Sequence, residues 1–211
     1  MNPWMMPLQK PHPPIWIPGV ASPESVMYAA RHRYPYIALA PPLELASEIY
    51  NLYASTAEEA GYTPTSENRG YAVRVNVSDS DERAYEEGKK FYWQLGTSFG
   101  VTPRHWQTPP GYQSRAASKS SRETAREGIR VAGGSGISYE ESQATYQVIT
   151  GNPDTVTRRL KDIIDLVDPA YLVIWGREGP MSHEAAMRCI DLMSKEVIPA
   201  LKEYVPNSEK R

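Results

Sequence analysis

Residues 13–26 read PPIWIPGVASPESV, a short apolar run that leads directly into a helix start. Residues 15–17 are β-branched or aromatic and are bounded by prolines and Gly19, which is the pattern of a short buried strand. Ser22 is a favoured N-cap residue, and Pro23 stands at the first helical position. A strand that turns at once into a helix predicts a βα unit at this point of the chain.

The same alternation continues along the chain. Three further apolar runs have strand character, at residues 36–39, 71–77 and 171–175. Between the runs, apolar residues recur at steps of three or four, as on one face of a helix. The helical series are Val26, Ala29 and Ala30; Leu45, Ile49, Leu52 and Tyr53; Val156, Leu160, Ile163 and Val167; and Ala186, Ile190, Met193, Val197 and Leu201. Four strands that alternate with helices predict an α/β protein with a mainly parallel sheet.

Composition narrows the class of protein. The chain has 211 residues, of which 40% are hydrophobic and 23% charged, enough for the core of one globular domain. A formal net charge of −2 argues against nucleic-acid binding, and the single cysteine, Cys189, excludes a disulfide scaffold. No apolar run is long enough to cross a membrane and residues 1–18 lack a signal-peptide pattern, so we expect a cytoplasmic protein. The chain has 14 Tyr and 5 Trp but only 2 Phe, and such polar rings suit pocket walls and interfaces as well as cores.

One long segment breaks the alternation. Residues 96–140 are rich in Pro, Gly, Ser and Arg and show no sustained period. A connection of this length is normally a lid, a binding loop or a disordered segment. A flexible loop over the strand ends and plain disorder are both consistent with its composition.

The turn after the first strand is the best candidate for a ligand site. Gly19 lets the backbone turn tightly, and the free amides of the following helix start can hold an anion. Residues 152–156, NPDTV, repeat the same order of cap, proline, acid, hydroxyl and valine, so either start can equally be an ordinary helix cap. Glu24 also competes with an anion for those amides. The first copy lies directly after a buried strand, where α/β sheets and barrels place ligands, and this favours it as a site.

Other polar residues are weaker candidates. Arg74 and Asn76 alternate with valines on one strand, so their side chains face either a barrel interior or solvent at a sheet edge. Arg177 follows the last strand, where it can serve a site or form a surface pair with Glu178. The four histidines show no metal-ligand spacing, so no metal site is predicted. Cys189 shares a helix with a buried apolar series and is predicted to be a core residue.

Eight short segments, taken together, carry a resemblance to a known family. They are PLQKPHPPIWIPG at residues 7–19, SPES at 22–25, AAR at 29–31, YPY at 34–36, PPGY at 109–112, GNPDTV at 151–156, LVIWG at 172–176 and EVIP at 196–199. In this order they resemble segments of the luciferase-like flavin-dependent monooxygenases. The resemblance extends over nearly the whole chain.

This resemblance implies a (β/α)8 TIM barrel, of which the chain is the C-terminal half-barrel, with about four βα units and a long loop insertion. It implies that reduced flavin mononucleotide (FMN), supplied by a separate flavin reductase, reacts with dioxygen to oxygenate a small organic substrate. Some relatives use a deazaflavin and transfer hydride instead. The role of holding the flavin phosphate carries over to the turn residues Gly19, Val20, Ala21, Ser22 and Ser25. Many relatives have Ser-Gly where this chain has Val20-Ala21, so a hydroxyl contact is missing here.

The resemblance also concerns length, because members of the family are considerably longer and this chain matches their second half. The four predicted strands are half of the eight in such a barrel. A half-barrel leaves two sheet edges and an inner face open, and such edges pair with something or aggregate. Three outcomes are consistent with this: an enzyme completed by a partner chain that supplies the missing half-barrel, a self-paired homo-oligomer, or an inactive remnant.

We therefore expect a single luciferase-like domain over residues 1–211, in which residues 96–140 form a flexible loop insertion that lines the substrate pocket. The pocket candidates are Trp106, Tyr112, Trp175 and Arg177. No catalytic residue is assigned, because this chemistry depends on the flavin and a dry cavity more than on one side chain. Two alternatives stay open: a non-catalytic flavin-binding or subunit-interaction half-barrel, and an α/β domain that binds a phosphosugar.

Overall fold

A computed structural model of the chain describes residues 7–93, 138–177 and 180–206. The strands are β1 (Ile17–Gly19), β2 (Tyr36–Leu39), β3 (Arg69–Val77), β4 (Val148–Gly151) and β5 (Tyr171–Trp175). The helices are α1 (Pro23–Arg31), α2 (Leu43–Glu59), α3 (Asp81–Trp93), α4 (Tyr139–Ala144), α5 (Pro153–Val167), α6 (His183–Leu192) and α7 (Ile198–Lys202). A 3-10 turn, Ser66–Asn68, precedes β3, and a π-helical turn, Met193–Val197, joins α6 to α7.

The strands differ from the predicted ones in two places. β1 begins at Ile17 rather than at Ile15, because the Ile17 amide donates the first bond of the strand, to the carbonyl oxygen of Pro35 at 2.9 Å. The four predicted strands do not include β4. Its apolar run is only Val148 and Ile149, followed by Thr150 and Gly151, which is too short a pattern to indicate a strand.

All described strand pairs are parallel, and β3 lies at the centre of the sheet. Gly70 pairs with Ile37 of β2 and with Tyr171 of β5, so β2 and β5 lie on opposite edges of β3. Arg74 pairs with both β4 and β5, so β4 also lies opposite β5. The strands β1, β2, β3 and β5 therefore form one continuous sheet, and β4 extends it past the carboxyl end of β2.

The sheet is strongly curled. The rings of Trp16, just before β1, and Tyr171 of β5 lie 4.3 Å apart between centroids. Their strands are separated by three strand spacings of about 4.8 Å each, so the two rings can meet only if the sheet bends round its inner face. A curled parallel sheet with alternating helices is the predicted partial barrel.

The convex face of the sheet carries the main core. Tyr71, Val73, Val75 and Val77 of β3 are buried there among side chains of α1, α2, α5 and α6. The four predicted apolar residues of α5 are all buried, which confirms that helix face; they are Val156, Leu160, Ile163 and Val167. Burying one such aliphatic side chain stabilises the fold by roughly 1.5–3 kcal/mol.

Helix α6 confirms one prediction and corrects another. Cys189 is buried in the main core, as predicted. Ile190, predicted to be buried, is 58% exposed. The buried face of α6 and the following turn advances in steps of four through Ala185, Cys189 and Met193, and a residue next to Cys189 lies about 100° away from it.

A second, smaller layer covers the carboxyl end of the sheet. Tyr139, Val148, Met181 and Ala185 form a separate apolar cluster, against which Tyr85 of α3 packs. The connection from β3 to β4 steps back towards the edge that β2 occupies, so a right-handed crossover must use the opposite face from α1, α2 and α5. The carboxyl ends of the strands are thus roofed on one side by α3 and α4.

Candidate functional site

The turn after β1 is built around the hydroxyl group of Tyr36. Its oxygen accepts a hydrogen bond from the Ala21 amide at 3.3 Å. A Cβ atom at Gly19 would overlap the Tyr36 hydroxyl, so only glycine allows this close approach. Ala21 has a φ of +80°, a left-handed conformation that costs an L-residue roughly 1–2 kcal/mol. The turn is therefore held in a strained shape by a buried tyrosine.

The helix start that follows has no side-chain cap. Ser22 is the N-cap residue of α1, as predicted, but its side chain accepts no hydrogen bond from the helix. Its hydroxyl instead donates to a carboxylate oxygen of Glu24 at 3.0 Å. Pro23, at the first helical position, has no N–H, so the Ser22 side chain caps none of the first-turn amides of α1.

The matching start of α5 is filled by the protein itself. The Asn152 side chain accepts a hydrogen bond from the Thr155 amide at 2.9 Å. The Asp81 carboxylate, at the beginning of α3, accepts from the Asn152 amide at 2.7 Å and from the Thr155 hydroxyl at 3.2 Å. At α5 a carboxylate therefore already lies where an anion would bind, whereas the N-cap side chain of α1 makes no bond to its helix.

The α1 start fits a phosphate in shape but not fully in charge. Its favourable features are the glycine turn, the left-handed Ala21 and the outward amides, which together form a concave backbone surface for an anion. Its unfavourable feature is the Glu24 carboxylate in the first helical turn, which repels a second negative charge. Val20 is exposed and has no hydroxyl, so the hydroxyl groups that this turn offers to an anion are those of Ser22 and Ser25.

The carboxyl end of β5 carries the second group of candidate residues. Trp175 is 46% exposed, and its indole N–H donates to the carbonyl oxygen of Arg177 at 2.9 Å. The guanidinium of Arg74 lies 4.9 Å from the centroid of the Trp175 ring, a cation–π contact. The structure thus brings the two predicted pocket residues together and adds Arg74 to them.

Arg74 and Asn76 face the inner side of a central strand. Strand β3 pairs on both edges, so solvent exposure at a sheet edge, one of the two alternatives for this polar pair, is wrong. Asn76 is fully buried, and its amide donates to the Ala84 carbonyl oxygen of α3 at 3.2 Å. Alternation with the core valines indicated two faces, but only the topology assigned the polar one to the interior.

An ionic cluster beside the end of β3 is absent from the sequence-based candidates. Arg188 of α6 donates to the Ser78 hydroxyl at 3.2 Å and to the Glu87 carboxylate of α3. Arg83 donates to the same carboxylate oxygen at 3.1 Å. The two pairing helices are more than a hundred residues apart in the chain, so no local pattern indicates this contact. The cluster ties α3, and with it the layer over the strand ends, to the barrel helices.

Two of the predicted pocket residues, Trp106 and Tyr112, lie outside the described residues. Residues 96–137 of the predicted loop also lie outside the described residues. The last three residues of that loop, 138–140, form the capped start of α4. Over the part of the chain that the structure describes, no group of three or more His, Cys, Asp or Glu could hold a metal ion. Within the same ranges, no helix is both long enough and apolar enough to cross a membrane.

The fold and the candidate sites together define a class of protein: a parallel α/β partial barrel whose candidate sites follow the carboxyl ends of the strands. The model of the luciferase-like monooxygenase family matches residues 2–168, about four fifths of the chain. The chain belongs to the luciferase-like monooxygenase family. No curated protein sequence matches it.

Solved structures support the same fold. The chain is similar to monooxygenase RslO1 from Streptomyces bottropensis, with 19% identity, 92% of this chain and 50% of that chain covered, and a TM-score of 0.60. It is also similar to the oxygenating constituent of 3,6-diketocamphane monooxygenase from Pseudomonas putida in complex with FMN, at 20% identity, 90% and 48% coverage and a TM-score of 0.59. A third similar structure is the coenzyme F420-dependent tetrahydromethanopterin reductase of Methanopyrus kandleri, at 17% identity, 88% and 50% coverage and a TM-score of 0.54. The chain spans about half the length of each of these proteins.

Proposed function

We propose that the chain is the flavin-phosphate-binding half of a flavin-dependent monooxygenase, which uses reduced flavin and dioxygen on a small organic substrate. The observation that carries this proposal is the glycine turn of residues 19–25, the anion cup, in which the N-cap side chain of α1 makes no bond to its helix. The equivalent start of α5 is filled by Asp81 and capped by Asn152, whereas the anion cup lies at the carboxyl end of β1, where barrels bind their ligands. Family membership supplies the flavin as the ligand.

FMN is the preferred cofactor, and a deazaflavin is the second choice. One structurally similar protein is in complex with FMN and another is F420-dependent, which supports this pair of ligands. The phosphate would rest against the amides of the turn, with the Ser22 and Ser25 hydroxyls beside it. When bound in its reduced form, delivered by a separate flavin reductase, the flavin supplies the reaction with dioxygen.

The chain's own contribution to the chemistry is an aromatic and cationic surface at the carboxyl end of the sheet. There the guanidinium of Arg74 lies over the Trp175 ring, on the inner side of β3 and β5. Such a surface suits a small organic substrate with an apolar body. We propose that residues 96–137, with Trp106 and Tyr112, form the loop of the substrate pocket over this surface, within a single domain of residues 1–211.

A second candidate function is a non-catalytic flavin-binding subunit. The observation that favours it is that the chain spans about half of each similar structure. This candidate shares the phosphate cup and differs only in lacking turnover.

The proposal is tested by titrating the purified chain with FMN and following flavin fluorescence, with riboflavin as the phosphate-free control. We expect FMN to bind at least about tenfold more tightly than riboflavin, because only FMN fills the anion cup. Equal affinities would exclude a phosphate site in the turn. Formation of an oxygenated product from a small organic substrate, with chemically reduced FMN and dioxygen, then separates the enzyme from the non-catalytic subunit. The control omits the protein, because free reduced FMN consumes dioxygen by itself.

Two matched variants locate the phosphate. Glu24→Gln removes the negative charge from the first turn of α1 and should tighten FMN binding about two- to fivefold, which corresponds to roughly 0.5–1 kcal/mol. Asp154→Asn makes the same change in the first turn of α5, whose start is closed, and should leave the affinity unchanged. The same gain in both variants, or a gain for riboflavin as well, would contradict the assignment.

A further inference from the structure

The inner face of the curled sheet exposes large apolar side chains. On β5, Leu172 and Ile174 pack against the main core, so Val173 and Trp175 point to the other, concave side. There Val173 is 42% exposed, Trp175 is 46% exposed and Trp16 is 39% exposed. Contiguous apolar surface of this kind in an α/β protein marks an interface rather than a solvated face.

The same sheet has two open edges. Among the described residues, no strand pairs with the edge of β1 that faces away from β2, or with the edge of β5 that faces away from β3. The outer edge of β5 presents unpaired backbone N–H and C=O groups, and that of β1 presents the carbonyl oxygen of Pro18, an acceptor without a neighbouring strand donor among the described residues. A partner that covers only the concave face would leave both of these edges unsatisfied.

From these two features we infer that two copies of this chain close on each other into one eight-stranded barrel. Each copy contributes β1, β2, β3 and β5, and eight is the number at which a parallel barrel closes with its interior filled by side chains. A twofold axis along the barrel places β5 of one copy beside β1 of the other, with both strands running in the same direction. This single operation pairs both edges and buries both concave faces, as a closed symmetric dimer requires.

The curvature and the charges agree with a second copy as the occupant. Trp16 and Tyr171 meet across three strand spacings, so the four strands already bend through about half of such a barrel. The surface that would meet its own copy towards the amino ends is apolar, with Trp16, Tyr171 and Val173. Arg74 lies over Trp175 at the carboxyl mouth, which stays open to ligands and solvent.

The first test is the mass of the full chain in solution, without flavin, by size exclusion with light scattering. We expect a dimer of twice 23.7 kDa at about 100 µM and dissociation on dilution towards micromolar concentrations. A monomer at every concentration would overturn the inference and would leave a different chain, or another segment of a longer protein, as the occupant of the face.

A matched pair of variants locates the interface. Val173→Glu puts a charge on the concave face and should weaken the dimer about 100-fold or more. Ile190→Glu puts the same charge on the exposed outer surface of α6 and should leave the dimer intact. A dimer that survives Val173→Glu, or that is broken by Ile190→Glu, uses another surface and contradicts the closed barrel.

Hydrogen exchange on the unmodified chain gives a test that does not depend on a variant folding. The outward-pointing amides of β5 should gain protection of about tenfold or more between dilute and concentrated samples, because only the dimer pairs them. Amides in α6 serve as the internal reference and should not change. Equal exchange of the β5 edge at both concentrations would overturn the inference, whether or not flavin binds.

Discussion

At the scale of single residues, the candidate site depends on Gly19 and Tyr36. The Tyr36 hydroxyl occupies the space beside Gly19 and accepts the Ala21 amide, which holds Ala21 in the left-handed region. The same burial that positions this hydroxyl raises the pKa of Tyr36, so the group stays protonated. Gly19 of β1, Tyr36 of β2 and Ala21 of the turn between β1 and α1 thus determine the shape of the anion cup.

Gly19→Ala tests this arrangement. The added Cβ overlaps the Tyr36 hydroxyl, so we expect a loss of about 1–3 kcal/mol in the free energy of unfolding, measured by urea denaturation. Gly176→Ala is the control, because the nearest atom to its Cβ is the Cys189 sulfur at 3.8 Å, and its cost should stay below about 1 kcal/mol. In a Tyr36→Phe background the cost of Gly19→Ala should fall. Equal costs in the two backgrounds would place the strain elsewhere.

At the scale of elements, the similar starts of α1 and α5 contact different partners. Both have a polar cap, a proline and an acid in the first turn, and both were predicted from these residues. The α5 start receives Asp81 from a segment 71 residues away, whereas at the α1 start the Ser22 hydroxyl donates to Glu24 of the same helix. The connection from β3 into α3 delivers that carboxylate, so the β3–α3 connection decides which helix start remains available to a ligand.

A second contact between distant elements is the ion pair that attaches α3 to α6. The side chains of Arg188 and Glu87 are only 20% and 17% exposed. One carboxylate oxygen of Glu87 is buried without a hydrogen-bond partner among the described residues, so this carboxylate depends on Arg188 and Arg83 for its charge balance. An ion pair in such surroundings is strengthened by low dielectric and is costly to break.

Arg188→Met removes one partner of the half-buried pair. We expect a loss of about 2–4 kcal/mol in unfolding free energy, because the Glu87 carboxylate keeps its desolvation cost and loses its main counter-charge. Lys195→Met breaks the exposed pair with Asp191, whose side chains are 68% and 56% exposed, and should cost less than about 0.5–1 kcal/mol. Urea denaturation of both variants makes the comparison. Similar losses would show that burial does not set the strength of the Arg188 pair.

At the scale of the whole molecule, tyrosine hydroxyls connect the helices to the sheet. Tyr50 of α2 donates to the carbonyl oxygens of Tyr36 and Gly70, and Tyr71 of β3 donates to that of Pro41 at 2.8 Å. The excess of tyrosine over phenylalanine in the composition is therefore used partly in the core, where each hydroxyl satisfies a strand or loop carbonyl. Burial raises the pKa of both Tyr50 and Tyr71, and raises that of Tyr139 to about 12.

These shifts predict how stability depends on pH. A tyrosine in the unfolded chain ionises near pH 10.0, whereas the buried ones resist ionisation in the folded protein. Their contribution is therefore complete below about pH 9 and is lost as the pH rises above 10, by up to about 1.4 kcal/mol per pH unit for each tyrosine. Urea denaturation at increasing alkaline pH measures the slope, and Tyr71→Phe should reduce it by about one proton. A flat profile up to pH 12 would contradict the prediction.

Much of the fold was predictable because it is encoded locally. Apolar residues at helical spacing identified the buried face of α5, and short β-branched runs identified β2, β3 and β5. Three features were not predictable from the sequence: the residue at which β1 begins, the existence of β4 and the exposure of Ile190. Each depends on which strand or helix packs beside it. For the candidate site, Trp175 and Arg177 were predicted to be near a pocket, but Arg74 joined them only through the register of β3 against β5.

By itself, the sequence determined the alternation of β1, β2, β3 and β5 with helices, the buried face of α5 and the residues that start α1 and α5, since these follow from periodicity and capping within a few residues. Only the tertiary structure decided that Asp81 fills the α5 start, that polar side chains of β3 face inward, and that Arg188 meets Glu87 across 101 residues of chain. Such choices depend on contacts between distant segments. Their partners are set by topology and crossover handedness, which no local pattern contains.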